Sequence, residues 1–383
     1  MSSGTIGLVF DLNENWIGGS YYIRNLIAAL GMLPEAEQPD LVLISARPES
    51  VRFAAETGYP KLGWLKAEDF NADPDRYPFT ALFPWAPPSQ ARRTLSWIPD
   101  FQELHLPHYC SAAEIANRRH HHRLRFATAG LVVSSEDVRQ DVDTFYPGEC
   151  PNVAVVHFAT FDHFDTSRQA EVRAQYGLTG RFVMCANQVW VHKNHITVMK
   201  AAALLKARGI SVPVVFTGNE SDYRVTGYSS FLRRLAQDWG LEDQLRFLGF
   251  IPRDDQLNLM KAADYVIQPS LFEGWSTVIE DAKAMNQFVV ASDLGVHKEQ
   301  LTINHRFFPR HDPSALAAIM AEYAQTPPRP QPIDSYDNAR RAFGRDFIAA
   351  IQRFLPEEAL ESEMSTAALL AMARATIADL PPA

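Results

Sequence analysis

The chain has 383 residues, of which 46% are hydrophobic and 21% charged, and its formal net charge is −9. A chain of this length exceeds what one hydrophobic core usually holds, so two domains are expected. The acidic balance argues against nucleic acid as a partner, because nonspecific nucleic-acid binding needs a broad cationic surface.

The three cysteines, Cys110, Cys150 and Cys185, lie far apart and form no CxxC pair. This pattern favours neither a disulfide framework nor a thiolate zinc site, and it fits a reduced cytoplasmic setting. The first residues lack the basic start and long apolar stretch of a secretion signal, and no stretch has the apolar length of a membrane helix. We therefore expect a cytoplasmic protein that meets a membrane, if at all, from the outside.

The first half of the chain alternates between predicted strands and helices. A strand over 5–11 is followed by a polar turn that ends in Gly18 and Gly19, and then by a helix over 20–30. Further apolar runs predict strands at 94–98, 131–135 and 153–157, after an earlier one at 41–45. This alternation predicts a parallel sheet covered on both faces, and the pattern lapses at 157–167, a predicted hinge.

The second half repeats the pattern. Strands are predicted at 181–186, 212–218, 245–249, 264–270 and 288–292, each followed by a helix-sized segment. The chain from about Tyr336 is predicted to be helical and amphipathic, with Pro356 dividing it into two pieces. Two doubly wound α/β domains in tandem predict a ligand in a cleft between them, at the carboxyl ends of the strands.

The loop and helix at 269–285 carry the most chemistry. Glu273 is predicted to lie in a loop, Gly274 permits a tight turn, and Ser276 and Thr277 suit the start of a helix. Free N–H groups and the dipole at a helix start form an anion site that suits a diphosphate. The simpler interpretation is a strand–turn–helix segment with a solvated glutamate.

Three stretches together resemble the family 4 glycosyltransferases. PSLFEGWSTVIEDAKAM (269–285) resembles the family signature, in which two glutamates separated by seven residues bracket a glycine-rich turn. NQVWVHKNH (187–195) resembles the phosphate-binding loop, and GFIPRDDQLNLMKAADYVIQPS (249–270) resembles the segment before the signature. The resemblance is strong over about 180–300 and loose over the first domain, and similar variants occur among bacterial enzymes that build surface polysaccharide.

The resemblance implies the GT-B fold, with two Rossmann-like domains facing a cleft and a C-terminal helix that returns to the first domain. It divides the chain into an acceptor-side domain at 1–165, a nucleotide-sugar-binding domain at 166–335 and a helical segment at 336–383. It also implies retaining transfer of a hexosyl-type sugar from a nucleoside diphosphate sugar to a glycan or lipid-linked acceptor. No metal and no other cofactor are implied.

Within the phosphate-binding loop, the resemblance makes Lys193 the lysine that meets the diphosphate; alone, it could be an ordinary surface lysine. Gln188 stands where the family usually has an arginine, so one charge is missing or supplied elsewhere. Arg224, in the loop that begins at Gly218, is a candidate for that charge. The resemblance extends the donor site to Gln188 and Gly218, and to Gly274, Trp275, Ser276 and Thr277 beside Glu273.

The second signature acid falls at Asp281, where the family holds the ribose hydroxyls of the donor. A glutamate, Glu280, stands one place earlier. Helical periodicity puts Val278, Ile279 and Ala282 on the face that covers the sheet, which predicts that Glu280 points to solvent. We therefore expect Asp281 to bind the ribose.

In the first domain, the segment WIPDFQELHLPHY (97–109) occupies a place where related enzymes carry a polar group facing the donor sugar. Asp100 is the first candidate and His105 the second, while a turn or helix-capping role for Asp100 is the alternative. The turn at Gly18 and Gly19 would let the backbone approach the donor phosphates, although turns use glycine generally.

Other chemistries lack their motifs, since no GxSxG, GxxxxGK[ST], HExxH or GxGxxG is present. The basic run RRHHHRLR (118–125) predicts a solvated helix face, with a peripheral contact with the inner membrane surface as the alternative. Two other functions stay open: a sugar-nucleotide epimerase or hydrolase on the same scaffold, and a sugar-nucleotide-binding protein without catalysis.

Overall fold

The computed structural model describes residues 4–13, 17–162, 165–222, 224–355, 364–378 and 380. The chain divides into two compact units. The first comprises Met1–Phe101, Ala112–Phe161 and Asp337–Ala383, and the second comprises Gln102–Ser111 and Asp162–Tyr336. The boundary predicted after residue 165 thus lies after Phe161, and residues 102–111 group with the second unit rather than the first.

Thirteen short strands are described. They are β1 (Thr5–Val9), β2 (Asp40–Ser45), β3 (Leu62–Lys66), β4 (Ala81–Phe83), β5 (Leu95–Ile98), β6 (Gly130–Val133), β7 (Val153–Val155), β8 (Val183–Cys185), β9 (Val214–Phe216), β10 (Leu245–Phe247), β11 (Val266–Gln268), β12 (Val289–Ser292) and β13 (His305–Phe308).

The described α-helices connect or cover these strands. They are α1 (Ile17–Gly31), α2 (Pro48–Ala55), α3 (Ala67–Ala72), α4 (Gln102–His105), α5 (Ala112–Phe126), α6 (Glu136–Phe145), α7 (Gln169–Gln175), α8 (His195–Lys206), α9 (Tyr228–Asp238), α10 (Arg253–Ala262), α11 (Thr277–Ala284), α12 (Gly295–Gln300), α13 (Pro313–Gln325), α14 (Asp337–Phe354) and α15 (Thr366–Ala378).

The first unit holds two groups of parallel strands, in the orders β3-β2-β1-β4 and β5-β6-β7. A parallel bridge between Leu82 and Thr94 joins the two groups. Strands β3 and β4 were not predicted, because LGWLK mixes glycine and lysine with apolar residues and β4 is only three residues long. Short strands of this kind carry too little periodicity to be seen in one sequence.

The turn predicted at Gly18 and Gly19 is wrong, because both glycines belong to the first turn of helix α1. A Cβ added at Gly18 would meet no atom within 4 Å, so the glycine is not needed for space. Gly19 is buried in the helix. The pair therefore gives no support for a backbone loop that approaches phosphate.

The C-terminal helices pack on the first unit, as predicted. Phe343 and Phe347 of α14 are fully buried, and Phe347 meets Phe83 with ring centroids 4.9 Å apart. A Cβ on Gly344 would lie 2.7 Å from the carbonyl oxygen of Ala29, so glycine lets α14 cross α1 closely. Helix α15 covers β3, and Pro356, the predicted break, lies outside the described residues.

The second unit is a six-stranded parallel sheet in the order β10-β9-β8-β11-β12-β13. The five strands predicted from buried apolar runs are all present, while β13 (HRFF) was missed because two of its four residues are polar. Strand β8 pairs in parallel with both β9 and β11, so the loops that follow these three strands begin at one edge of the sheet. Among the described residues, we find no helix long and apolar enough to cross a membrane.

Candidate functional site

Two neighbouring strands of the second unit bring the predicted donor residues together. Strand β8 pairs with β11 in parallel, so the loops that follow these strands start side by side. Lys193 ends the short 3-10 helix Val191–Lys193 after β8, and Glu273 lies between β11 and α11. The carboxyl edge of an open parallel sheet is where α/β domains bind ligands.

Lys193 and Glu273 form a largely buried ion pair. Nζ of Lys193 donates to Oε1 of Glu273 at 2.6 Å, and the two side chains are 17% and 8% exposed. The same Oε1 accepts from Ser270 Oγ at 2.6 Å and from Gln268 Nε2 at 2.9 Å. Because all three hydrogen bonds use Oε1, Oε2 is the oxygen that can accept from a ligand hydroxyl.

Asn194 fixes the position of its neighbour, Lys193. Its backbone is left-handed, with φ 58°, a conformation that asparagine tolerates better than most residues. Its Nδ2 donates to the carbonyl oxygens of Pro269 and Arg310, each at 3.0 Å. Asn194 therefore links the loop that contains Lys193 to the loop after β11 and to the chain after β13.

Gly218 lets the loop after β9 approach the loop after β8. Its φ is 133°, and a Cβ there would lie 2.3 Å from the carbonyl oxygen of Asn187 and 2.8 Å from Cα of Gln188. No other residue fits without moving the backbone. Gln188 and Gly218, both predicted in the donor site, are thus adjacent at this edge.

The start of α11 lies where the sequence predicted it. Ser276 is the N-cap, and its Oγ accepts from the backbone N–H of Ile279 at 3.3 Å. The Gln300 side chain accepts from Ser276 N–H at 2.9 Å and donates to its carbonyl at 3.1 Å. Thr277 is the first helical residue, and Lys283 Nζ lies 5.8 Å from the ring centroid of Trp275.

The expectation that Glu280 points to solvent is wrong. Its side chain is 1% exposed. Oε1 accepts from Lys283 at 2.8 Å and from Gln300 at 3.0 Å, and Oε2 accepts from the Tyr336 hydroxyl at 2.6 Å. Helix α11 is therefore covered on a second side by Gln300 and Tyr336, which periodicity towards the sheet alone does not reveal.

Asp281 is also buried, and both of its oxygens accept from Arg253 Nη2 at 2.7 Å. Burial raises the pKa of Asp281 to about 6, and the Arg253 charge only partly offsets that effect. The side chain already has a strong partner in this structure. Its predicted contact with the donor ribose stays a prediction.

Arg224, the suggested replacement for the missing arginine, is held in a network of its own. Its side chain is 4% exposed, with Nε 3.2 Å from Asp222 Oδ1. Its Nη2 lies 3.1 Å from Nδ1 of His192, and its Cζ lies 5.0 Å from the ring centroid of Trp190. The guanidinium also bonds to Gln102. Arg224 therefore lies beside the loop that contains Lys193.

Three buried histidines near these loops are uncharged at neutral pH. Burial lowers the pKa of His195 and His297 to about 4, and it lowers that of His192 well below the ordinary value. Nδ1 of His297 lies 2.9 Å from the carbonyl oxygen of Ser292. These imidazoles therefore add no positive charge beside Lys193.

Structural comparison finds solved proteins that align along nearly the whole chain. Anabaena HepE in complex with UDP and glucose has a TM-score of 0.64 at 16% identity, with 98% of each chain covered. A glycosyltransferase from Rickettsia africae ESF-5 has a TM-score of 0.62 at 14% identity, with 99% of each covered. The chain has the fold of these proteins, which confirms the predicted class of two Rossmann-like α/β domains.

Comparison of the amino-acid sequence finds one matching family and several curated relatives. Residues 169–341 match the family of glycosyl transferases group 1. D-inositol 3-phosphate glycosyltransferases from Mycolicibacterium gilvum and Streptomyces scabiei are 28% and 26% identical, over 50% and 57% of this chain. The alignments cover 43% and 52% of those proteins, so this chain spans about half the length of the relatives it matches.

The group 1 match covers Lys193, Glu273 and all of α11, but it does not reach the candidates in the first domain. Asp100 is half-buried just after β5, in the first unit, whereas His105 ends α4 in the second. The His105 ring lies 4.9 Å from that of Phe272, one residue before Glu273. The roles predicted for Asp100 and His105 stay predictions.

The basic run at 118–125 lies on α5 and is not a uniform solvated face. His122 is buried, with Nδ1 2.9 Å from the Tyr146 hydroxyl, and burial lowers its pKa to about 4. Arg118 pairs with Glu114 at 2.8 Å. Across the described parts of the chain, no three His, Cys, Asp or Glu side chains are grouped to hold a metal ion.

Several residues that hold the site in place were not predicted from the sequence. Gln268 and Ser270 position Glu273, Gln300 holds the start of α11, and Arg253 pairs with Asp281. No local pattern marks these residues, because each acts on a partner that is brought near only by the fold. Only their position in the sequence could have indicated Gln268 and Ser270, since both lie at the end of a predicted strand.

Proposed function

We propose that this chain is a retaining glycosyltransferase that moves a hexosyl-type sugar from a nucleoside diphosphate sugar to a glycan or lipid-linked acceptor in surface polysaccharide synthesis. The observation that carries the proposal is the Lys193–Glu273 ion pair, with its 2.6 Å contact between adjacent loops. A cation suited to phosphate and a carboxylate suited to sugar hydroxyls thus lie together, close to the capped start of α11.

In the proposed reaction, the bond between the sugar and the diphosphate breaks, and the acceptor hydroxyl attacks from the same face. Lys193 uses one of its three N–H donors on Glu273, so the other two can meet oxygens of the departing diphosphate. Preorganised positive charge of this kind stabilises a leaving group. Glu273 Oε2 would orient a sugar hydroxyl, and the departing phosphate would accept the proton of the acceptor.

The nature of the donor and acceptor is part of the proposal. UDP and glucose in the Anabaena HepE structure make UDP-glucose the first donor to test. The names of the matched relatives add D-inositol 3-phosphate to the acceptors worth testing, although the alignments cover only about half of each relative. A glycan or lipid-linked acceptor remains the main proposal.

Binding is tested first, by thermal denaturation with UDP, GDP, ADP and dTDP sugars, because a ligand of the native state raises apparent stability. We expect one nucleotide series to raise the melting temperature of the wild type and to have a much smaller effect on Lys193→Ala. Lys200→Ala, an exposed lysine on the neighbouring helix α8, is the control. The absence of any shift across the whole panel would refute the proposed donor.

Product analysis separates the proposal from its alternatives. A transferase yields glycosylated acceptor, and an epimerase or hydrolase yields a changed nucleotide sugar or free sugar without acceptor. A binding protein without catalysis gives a thermal shift and no product. Retention requires that the product and the donor have the same anomeric configuration, which NMR of the purified product measures.

The proposed location is the cytoplasm, with a peripheral contact with the inner membrane surface through α5. Arg118 and Arg123 are paired with Glu114 and Glu149 in this structure, which reduces the charge available to anionic headgroups. Vesicles with and without anionic lipid test this contact directly. Sedimentation with anionic vesicles supports the contact, and no sedimentation with either kind contradicts it.

A further inference from the structure

The chain passes between its two units four times, and the last two crossings are linked to α11. The third crossing lies between Phe161 and Asp162, and the fourth between Tyr336 and Asp337. Asp162 and Tyr336 are therefore the residues of the second unit next to these two crossings. Each is linked to one of two consecutive acids of α11.

The first link runs through Arg253. Its Nε and Nη2 donate to Asp162 Oδ2 at 2.9 and 2.8 Å, and Nη2 also donates to both oxygens of Asp281 at 2.7 Å. The side chains of Asp162 and Asp281 are 9% and 1% exposed. Charge pairs this far from water hold their geometry, because a partner left alone would be buried and uncompensated.

The second link is direct. The Tyr336 hydroxyl donates to Glu280 Oε2 at 2.6 Å, and the Glu280 side chain is 1% exposed. Glu280 Oε1 is held from the other side by Gln300, which also bonds to Ser276 at the start of α11. The tyrosine thus contacts a carboxylate whose position depends on the same side chain that fixes the helix start.

The crossings are also tied together within the first unit. Arg340, in the first turn of α14, donates from Nε to the carbonyl oxygen of Thr160 at 2.9 Å, and its guanidinium lies 5.1 Å from the Phe161 ring centroid. Arg340 also pairs with Asp337 at 3.0 Å. Within the first unit, the residues next to these two crossings therefore contact each other. Within the second unit, the residues next to them are linked to α11.

We propose that Asp162 and Tyr336 are positioning residues that transmit nucleotide binding at the start of α11 to the third and fourth chain crossings. The inference rests on the proposed function, because it needs a nucleotide at Lys193 and Ser276. Helix α11 has only eight residues, so a displacement at its first turn also moves Glu280 and Asp281. Asp162 and Tyr336 then act on turnover through α11 rather than by touching the substrate.

The test uses two near-isosteric variants, one for each of these two crossings. Asp162→Asn removes the charge that meets Arg253, and Tyr336→Phe removes the hydroxyl that meets Glu280. Asp264→Asn and Tyr176→Phe are matched controls, because they break an Asp–Arg pair of 2.8 Å and a tyrosine–aspartate bond of 2.9 Å elsewhere in the second unit. Amide hydrogen exchange is measured at 157–162 and 333–340, with and without saturating UDP, together with kcat and KM for UDP-glucose.

We expect UDP to change exchange at both segments of the wild type by at least about twofold. Asp162→Asn should lose the response at 157–162 only, Tyr336→Phe should lose it at 333–340 only, and both should lower kcat more than they change KM. UDP binding without any change at the crossings would overturn the inference and leave the proposed function intact. A protein that binds none of UDP, GDP, ADP and dTDP by thermal shift would overturn both. Controls as impaired as the two variants would also overturn the inference.

Discussion

Lys193 and Glu273 lie 80 positions apart in the sequence, yet Nζ of the lysine donates to Oε1 of the glutamate at 2.6 Å. The contact exists because β8 and β11 are neighbours in the parallel sheet, so the loops after them begin at the same edge. Gln268 and Ser270 also donate hydrogen bonds to this glutamate oxygen. The lysine and the glutamate are thereby held together at one edge of the sheet.

We predict that Lys193→Ala lowers turnover of the donor by roughly 10²-fold or more, the scale expected when one preorganised charge partner is lost. The removal also leaves Glu273 buried without its cation. Steady-state kinetics of the purified variant measures the effect, with Lys200→Ala as the control on an exposed position of α8. Near-wild-type turnover in Lys193→Ala would remove the lysine from the site.

We predict that activity survives an excess of EDTA. Across the described residues no three His, Cys, Asp or Glu side chains are grouped to hold a metal ion, and Lys193 together with the start of α11 can stabilise charge on the diphosphate. Rates before and after chelation, and after dialysis against Mg²⁺ or Mn²⁺, make the test. Complete loss of activity that either metal restores would contradict metal-independent catalysis.

We predict that the stability of Asp281→Asn relative to wild type is greater at pH 7.5 than at pH 4.5. The folded-state pKa of Asp281 is raised to about 6 from an ordinary 3.8. An acid with a raised pKa contributes stability that is fully present below its unfolded pKa and is lost as the pH rises through the folded pKa. Asparagine does not titrate, so it keeps its contribution across this window.

Paired melting curves of wild type and Asp281→Asn at the two pH values measure that difference. Because Arg253, Asp162 and Glu280 surround the carboxylate, Asp264→Asn serves as the control for loss of an Asp–Arg pair. A difference in melting temperature that is constant with pH, or larger at pH 4.5, would show that the pKa of Asp281 is not raised.

We predict that Phe347→Ala lowers the free energy of unfolding by about 3–5 kcal/mol, the usual loss for a fully buried phenylalanine. Phe347 packs against Phe83, so its removal leaves a cavity between α14 and the sheet of the first unit. Urea denaturation measures the loss, and Arg345→Ala on the exposed side of α14 is the control. Equal stability of the two variants would mean that α14 does not support the first unit.

Much of the fold was predictable because buried parallel strands appear as short apolar runs with helix-sized segments between them. The unit that binds the donor in our proposal was the clearer one for this reason. Strands β3 and β13 were not predicted because they include glycine, lysine, histidine or arginine, and β4 was not predicted because it has only three residues. A turn was wrongly predicted at Gly18 and Gly19, because a glycine pair is typical of a turn and here lies in the first turn of a helix.

The site was predictable where a local motif marks it and not where the partner is distant in sequence. Lys193, Glu273 and the start of α11 follow from motif and spacing. Glu280 was misplaced because helical periodicity reports the face against the sheet, and it contains no information about Tyr336, 56 positions away. The contact between Arg253 and Asp281 was not predicted for the same reason, since the two residues are 28 positions apart.

The most direct test of the donor site is calorimetric titration of UDP and UDP-glucose into wild type, Lys193→Ala and Glu273→Gln. UDP carries the diphosphate without the sugar, so the two ligands separate the roles of the two side chains. We expect Lys193→Ala to weaken both ligands by about tenfold or more, the scale of a lost charged hydrogen bond. We expect Glu273→Gln to weaken UDP-glucose much more than UDP. Equal affinities of all three proteins for both ligands, or no binding to the wild type, would contradict a nucleotide-sugar site at this ion pair.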